Sequence, residues 1–216
     1  MNMKRDLRLI EWHSIQQSIA DCQKCCQHWP SEITQPLKPG EIPDPPEKIN
    51  VLFIGVAPTP LNGKNQGTHF YTSGNDLLRI GLFRLLSDHR NIQLVGLGLD
   101  EGNRLFHKSG FFFVHAAKVR PFQKSAPPRV AIRLCALHHL KAEIPFLNPS
   151  AICFLGIKNL RDIPHALFGQ KIEESPIRAS LDNWSGEVAA APQPIRGWHN
   201  RTAQVLGKLM RMQEGR

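Results

Sequence analysis

Residues 51–60 read VLFIGVAPTP, an apolar run that closes on a glycine and a proline-punctuated loop. Unbroken apolar runs of this length, without polar alternation, fit strands buried on both faces of a parallel sheet. Similar runs follow in GFFFVHAAK (110–118), AICFLG (151–156) and EVAAAPQP (187–194). Between them lie stretches of helical character, DLLRIGLFRLL (76–86), RVAIRLCALHHLKAEI (129–144) and IKNLRDIPHALF (157–168), with NRTAQVLGKLMRM (200–212) closing the chain. In the second, Val130, Leu134, Leu137, Leu140 and Ile144 are expected to share the buried side. Alternating strands and helices predict an α/β fold, a three-layer α/β/α sandwich around a mostly parallel four-stranded sheet. The region 169–186 is polar and carries no clear element signal.

The 216 residues suit one domain with a continuous core. Its expected parts are an N-terminal helix with a cysteine cluster (1–29), a proline-rich connector (30–48) and an α/β core (49–216). Trp12, Ile15, Ile19 and Cys22 have helical spacing, and the helix is expected to end in CQKCC at Cys22, Cys25 and Cys26. The connector, with PLKPGEIPDPP at 36–46, is expected to be an extended tether. The formal net charge of +9 favours a polyanionic partner, nucleic acid first. The N-terminus shows no signal-peptide pattern and no apolar stretch has membrane-spanning length, so a cytoplasmic, nucleoid-associated protein with no membrane partner is expected, as a monomer.

In such a sheet ligands meet the loops that leave the carboxyl ends of the strands. Here those loops are GVAPTP, VHAAKVRP, LGIKN and APQPIRGWHN. Taken in order, they resemble the uracil-DNA glycosylase superfamily, most closely its iron–sulfur-type family 4/5 enzymes. GVAPTP resembles the first active-site motif, seen in relatives as GQDPY, GEAPG, GINPG or GLAPA. GTHFYTSGNDLL (67–78) resembles the segment whose aromatic residue stacks on the extruded base, and FFFVHAAKVRPF (111–122) the base-reading strand, typically TNVVKCRPP. APQPIRGWHN occupies the place of the second motif, HPSP.

The resemblance implies a DNA glycosylase that flips a base out of single- or double-stranded DNA and hydrolyses its N-glycosidic bond. Gly55, Val56, Ala57, Pro58, Phe70, Asn75 and His115 are the expected base pocket, with Phe70 as the stacking platform. Lys118, Arg120, Gln193, Arg196, Arg201 and Lys208 are the expected DNA contacts, and Ile195 the wedge that fills the vacated stack. The site departs from the family at three places. Val56 and Ala57 lack the usual polar group, His115 replaces the Asn that pairs with uracil, and Ala191 replaces the second-motif His. One imidazole cannot present a donor and an acceptor side by side as an amide does, so either the target is not plain uracil or His115 has another role, and the expected target is uracil or another deaminated or modified base. His199, Asn200 and His115 are the expected catalytic groups, with His69 and Asp76 as further candidates. A non-catalytic DNA-binding relative is the alternative.

The iron–sulfur relatives hold a [4Fe–4S] cluster with an N-terminal CxxC, the Cys of KCRP and one more Cys on the next helix. This chain matches with Cys22, Cys25 and Cys135 but carries Val119 at the KCRP cysteine, leaving Cys26 or His28 as a fourth ligand, or a remnant that binds nothing. Cys153, within a strand, is expected to be a core thiol.

Overall fold

Trp12, Gln16 and Ile19 are buried on one face of Met3–Ala20, which is why this segment forms helix α1 against the body of the protein. The structure, a computed structural model, describes residues 3–60, 69–122, 126–195 and 199–214. After α1 come helix α2 (Lys24–His28), strand β1 (Ile33–Pro36), strand β2 (Val51–Gly55) and helices α3 (Leu77–Arg90) and α4 (Leu99–Lys108). Strands β3 (Phe111–His115) and β4 (Val119–Pro121) lead to helix α5 (Arg129–Cys135), a π-helical turn (Ala136–Leu140) and helix α6 (Lys141–Leu147). Strand β5 (Ala151–Leu155), short helices α7 (Ile157–Leu160) and α8 (Asp162–Phe168), strands β6 (Ile177–Leu181) and β7 (Trp184–Ala191), and helix α9 (His199–Glu214) complete the chain.

The α/β sandwich expected from the sequence is present, but its sheet has five strands, ordered β3-β2-β5-β7-β6. The first four are parallel, and β6 runs antiparallel along β7 at the edge. The extra strand lies in the region without an element signal. Its exposed Arg178 and Ser180 alternate with buried Ala179 and Leu181, the pattern of an edge strand wet on one face. Helices cover both faces. Phe106 of α4 and Phe83 of α3 pack at 5.4 Å, and Phe106 meets Phe53 and Phe111 of the sheet. On the opposite side Trp12 of α1 lies edge-on to Phe112 at 6.0 Å and stacks on Phe146 of α6 at 5.7 Å.

The proline-rich segment is extended but also packed. β1 pairs antiparallel with β4, Trp12 Nε1 donates to Pro43 O at 3.2 Å, and Gln16 Nε2 donates to Ile42 O at 2.7 Å. Leu37 and Ile42 are buried in consequence. The helix expected over 129–144 also differs in its face. Val130 and Leu134 are exposed, while Ala131, Ile132 and Cys135 point inward. The π-turn that follows widens the backbone by one residue and changes the phase, so His139, Leu140, Glu143 and Ile144 continue the buried stripe. Among the described residues no helix is long and apolar enough to cross a membrane.

Candidate functional site

Because β2, β5 and β7 are parallel, their carboxyl ends open on one edge of the sheet, and three loops meet there. Gly156, just after β5, has φ +111°, and a Cβ on it would lie 2.9 Å from Val56 Cγ2 and 3.4 Å from Gln193 Cγ. The loop after β7 is held from two sides. Thr202 Oγ1 of α9 donates to Pro192 O at 2.9 Å, and Gly156 N donates to Ala191 O at 2.9 Å. Gly81 of α3 lies under the same loop, where an added Cβ would sit 1.9 Å from Pro194 O. Gly81→Ala is therefore expected to push α3 and residues 192–195 apart and to cost about 1–3 kcal/mol, the usual penalty for overpacking, measured as a lower urea midpoint. Unchanged stability would mean that the loop yields freely. Between the β5 and β7 loops lies a cavity of about 300 Å³ lined by Gly156, Lys158, Gln193, Ile195 and Arg201.

At the neighbouring strand ends, β2 and β3 stay paired beyond the strands, with Ala116 N donating to Gly55 O and Ala117 N to Val56 O. Gly55 is required there because a Cβ would approach Phe113 Cζ to 2.6 Å. His115 is in register with Gly55 and is buried, its ring 5.0 Å from that of His69 and nearly perpendicular to Phe113 at 4.8 Å. His69 Nδ1 accepts a hydrogen bond from Tyr71 N at 3.3 Å, which assigns the proton of the neutral ring to Nε2. Among the described residues His69 Nε2 and His115 Nδ1 are buried without a hydrogen-bond partner. Burial, followed by the Arg120 and Lys118 cations, lowers the pKa of His69 to about 3. Burial also holds His115 well below its ordinary value, with His69, Lys118 and Arg120 adding to the effect. Both imidazoles are thus neutral near pH 7.

The segment that carries His69 is fixed by a residue the sequence reading missed. Arg79 of α3 is buried, donates to Phe70 O at 3.3 Å, to Leu99 O at 3.2 Å and to Asn103 Oδ1, and lies 4.0 Å above the Phe83 ring. Asn103 Nδ2 in turn donates to Tyr71 O at 3.0 Å, and Tyr71 Oη accepts from Phe113 N at 2.7 Å. Asp76 caps α3 by accepting from Arg79 N at 2.8 Å, which commits this carboxylate to the helix start. An arginine inside an apolar helix face was the available signal. Phe70 is placed in the core, 1% exposed, with its ring parallel to Phe113 at 4.2 Å and touching Phe83 and Phe106. Asn75 is exposed, and its backbone N donates to Ser73 Oγ at 3.2 Å. Val56 and Pro58 are buried and Ala57 is half-buried.

The expected DNA contacts divide. Lys118 is a correction, because its ammonium is buried 2.6 Å from Glu143 Oε2 and so withdrawn from a DNA-facing surface. Arg120 is likewise buried, paired with Glu41 and donating to Thr59 O at 3.4 Å, so it ties the proline-rich segment to the first loop. Gln193, Ile195 and Arg201 stay together at the rim of the cavity, where Arg201 Nε donates to Glu174 Oε2 at 2.8 Å and Lys158 is an unforeseen second cation. Asn200 and Lys208 are exposed on α9. Arg196 and the His199 side chain lie outside the described residues.

The cysteines line a separate cavity of about 530 Å³ between α2, the β3–β4 loop and the π-turn. Cys22, Cys25 and Cys135 are all on its wall, with Val119 where a fourth thiolate belongs in the iron–sulfur pattern, while Cys26 does not line it. Cys25 Sγ is 3.8 Å from Ala131 O, and Cys135 Sγ accepts from Lys118 N at 3.0 Å. Cys135 beside it, with His28 assisting, lowers the Cys25 pKa to about 7 against the opposing effect of burial. Cys153 is a buried thiol within β5, its pKa raised by burial alone. Cys26 lies close enough to Cys25 and Cys22 that, after burial, their charges raise its pKa.

No curated protein matches the chain. A family model, that of the uracil DNA glycosylase superfamily, matches residues 42–202, from the buried Ile42 of the proline-rich segment to Thr202, the residue that anchors the β7 loop. Since that match covers well over half the chain and takes in the strand ends just described, the protein belongs to the uracil-DNA glycosylase superfamily.

Proposed function

We propose that the protein is a DNA glycosylase whose pocket receives an extruded uracil, or another deaminated or modified base, against the His69–His115 pair. Superfamily membership points to DNA glycosylase activity in general. The observation that carries the finer reading is the pair of buried, neutral imidazoles with unpartnered ring nitrogens at the ends of β2 and β3. Buried polar atoms without partners are uncommon, because each forfeits its hydration. A base edge with its own donors and acceptors restores what is missing. One imidazole cannot offer two groups side by side, but two rings 5.0 Å apart can, with His69 Nε2–H as a donor and His115 Nδ1 as the second point.

In this reading Val56, Ala57 and Pro58 form the apolar floor, and Phe70 supports the histidines, since stacking on a base would require it to leave Phe113. Arg201, Lys158 and Gln193 at the 300 Å³ cavity, with Asn200 and Lys208 exposed on α9, grip the strand, with Ile195 as wedge. Asn200 and His199, at the start of α9, are the candidates to assist the departing base in place of Ala191.

Oligonucleotides carrying uracil, hypoxanthine, xanthine or modified cytosines, tested for alkali-labile abasic sites, check the activity. His115→Ala and His69→Ala are each expected to slow base release by about 10²-fold or more, the usual effect of removing a preorganised donor. Binding to undamaged DNA should be unchanged, because neither ring faces a phosphate. Base release at the parental rate in both variants would refute the histidine pair. Tight binding with no release of any base would leave a DNA-binding protein without chemistry.

A further inference from the structure

The cysteine cavity brings together a different donor set from the one the iron–sulfur resemblance implies. Cys22 Sγ and one ring nitrogen each from His138 and His139 all lie within 4.8 Å of one another, a group distinguished among the described residues by its capacity to hold an ion. From these positions we infer that the site takes a single zinc-class divalent ion, held by Cys22, His138 and His139 with Cys25 as the fourth donor, in place of an iron–sulfur cluster.

Zinc is bound tetrahedrally by thiolate and imidazole, with bond lengths that set the donor atoms about 3.3–3.8 Å apart. The three donors are close enough to reach that spacing by side-chain rotation. Cys22 and Cys25 have the C-x2-C spacing common at structural zinc sites, and both line the cavity. The imidazole half is already assembled on the π-turn. The His138 and His139 rings on the turn over Ala136–Leu140 lie 4.7 Å apart. His139 is buried and His138 exposed at the mouth, so one ligand is packed in place and the other can close over the ion. Mixed N/S donors suit zinc better than they suit a cluster that takes four thiolates. Bound there, the ion would tie the turn before α2 to the helix pair around the π-turn, adding to the contact of Cys25 with Ala131 O.

Metal analysis of the full chain, purified both aerobically and anaerobically, is expected to find about one zinc per protein with no acid-labile sulfide. A visible iron–sulfur chromophore with stoichiometric iron and sulfide would overturn the inference. The His138→Ala/His139→Ala double variant is expected to retain less than about a tenth of the zinc, since each ligand lost weakens the site steeply. Full zinc content in that variant would also overturn it. Because a variant can lose metal merely by misfolding, the parental protein is stripped with a chelator and titrated with Co2+. A tetrahedral ligand-field spectrum with a thiolate charge-transfer band, displaced by Zn2+, supports the site, and its absence from folded protein refutes it. These readouts are independent of base excision, so failure here leaves the glycosylase proposal standing.

Discussion

Lowering the pH from about 7 to about 5 is expected to remove about 2 kcal/mol of stability for each of His69 and His107, with His115 acting in the same direction. All three have folded-state pKa values below the ordinary one of about 6.5, His69 near 3 and His107 near 4, with burial the main cause and nearby cations adding to it. Below that ordinary value the unfolded imidazoles take up protons that the folded ones refuse. The unfolded state then binds more protons, and stability falls as pH falls. The loss begins near pH 6.5, above the carboxylate range, and for His69 and His107 continues down to about 3 and 4. Domains of this kind hold about 5–15 kcal/mol in all, so these groups together remove a large share of the stability by about pH 5. Urea titrations between pH 8 and pH 5 check this. The His69→Gln/His115→Gln double variant should show a shallower slope, and a flat stability profile in the parental protein across that range would refute the expectation.

Lys118→Ala is the single substitution expected to destabilise most, by about 3–5 kcal/mol, because it strands a buried carboxylate. Lys118 and Glu143 are 1% and 0% exposed and 2.6 Å apart, joining the β3–β4 loop to α6 beneath the cysteine cavity. Burial raises the Glu143 pKa while Lys118 lowers it. Removing the lysine leaves only the raising effect, so the variant's deficit should shrink as pH falls and Glu143 takes up a proton. Because Lys118 also helps hold the pKa values of His69 and His115 down, its removal eases their loss at low pH as well, so the comparison is made in the His69→Gln/His115→Gln background. The apolar double replacement Lys118→Met/Glu143→Leu is expected to recover most of the loss, since it leaves no charge buried. A single-variant cost below about 1 kcal/mol would show that water or a rearranged partner reaches Glu143.

How far the site could be read in advance depended on the range of its interactions. The strand ends were legible, because VLFIG, FFFVH and AICFL are apolar throughout and parallel sheets place ligands at their carboxyl ends. His115 could be assigned to that edge from the sequence. Its pairing with His69 could not, since it depends on Arg79 and Asn103 fixing the chain around Phe70 and Tyr71. Lys118 and Arg120 look like DNA contacts by charge alone, and only their buried partners Glu143 and Glu41 show otherwise. Helix α4 carries little signal in the sequence, where Gly98 and Gly102 interrupt a polar stretch. Gly102 is in fact demanded by Arg79, whose guanidinium would lie 2.7 Å from a Cβ there.

By itself the sequence determined the α/β alternation, the buried parallel strands, the superfamily motifs and the valine at the KCRP cysteine position, all of which are local properties of composition and spacing. Tertiary structure alone decided the antiparallel edge strand β6, the burial of Lys118 and Arg120, the facing imidazoles of His69 and His115, and the meeting of Cys22 with His138 and His139. Those features bring together side chains distant in sequence. Their energies come from burial and from what lies opposite, which no local pattern encodes.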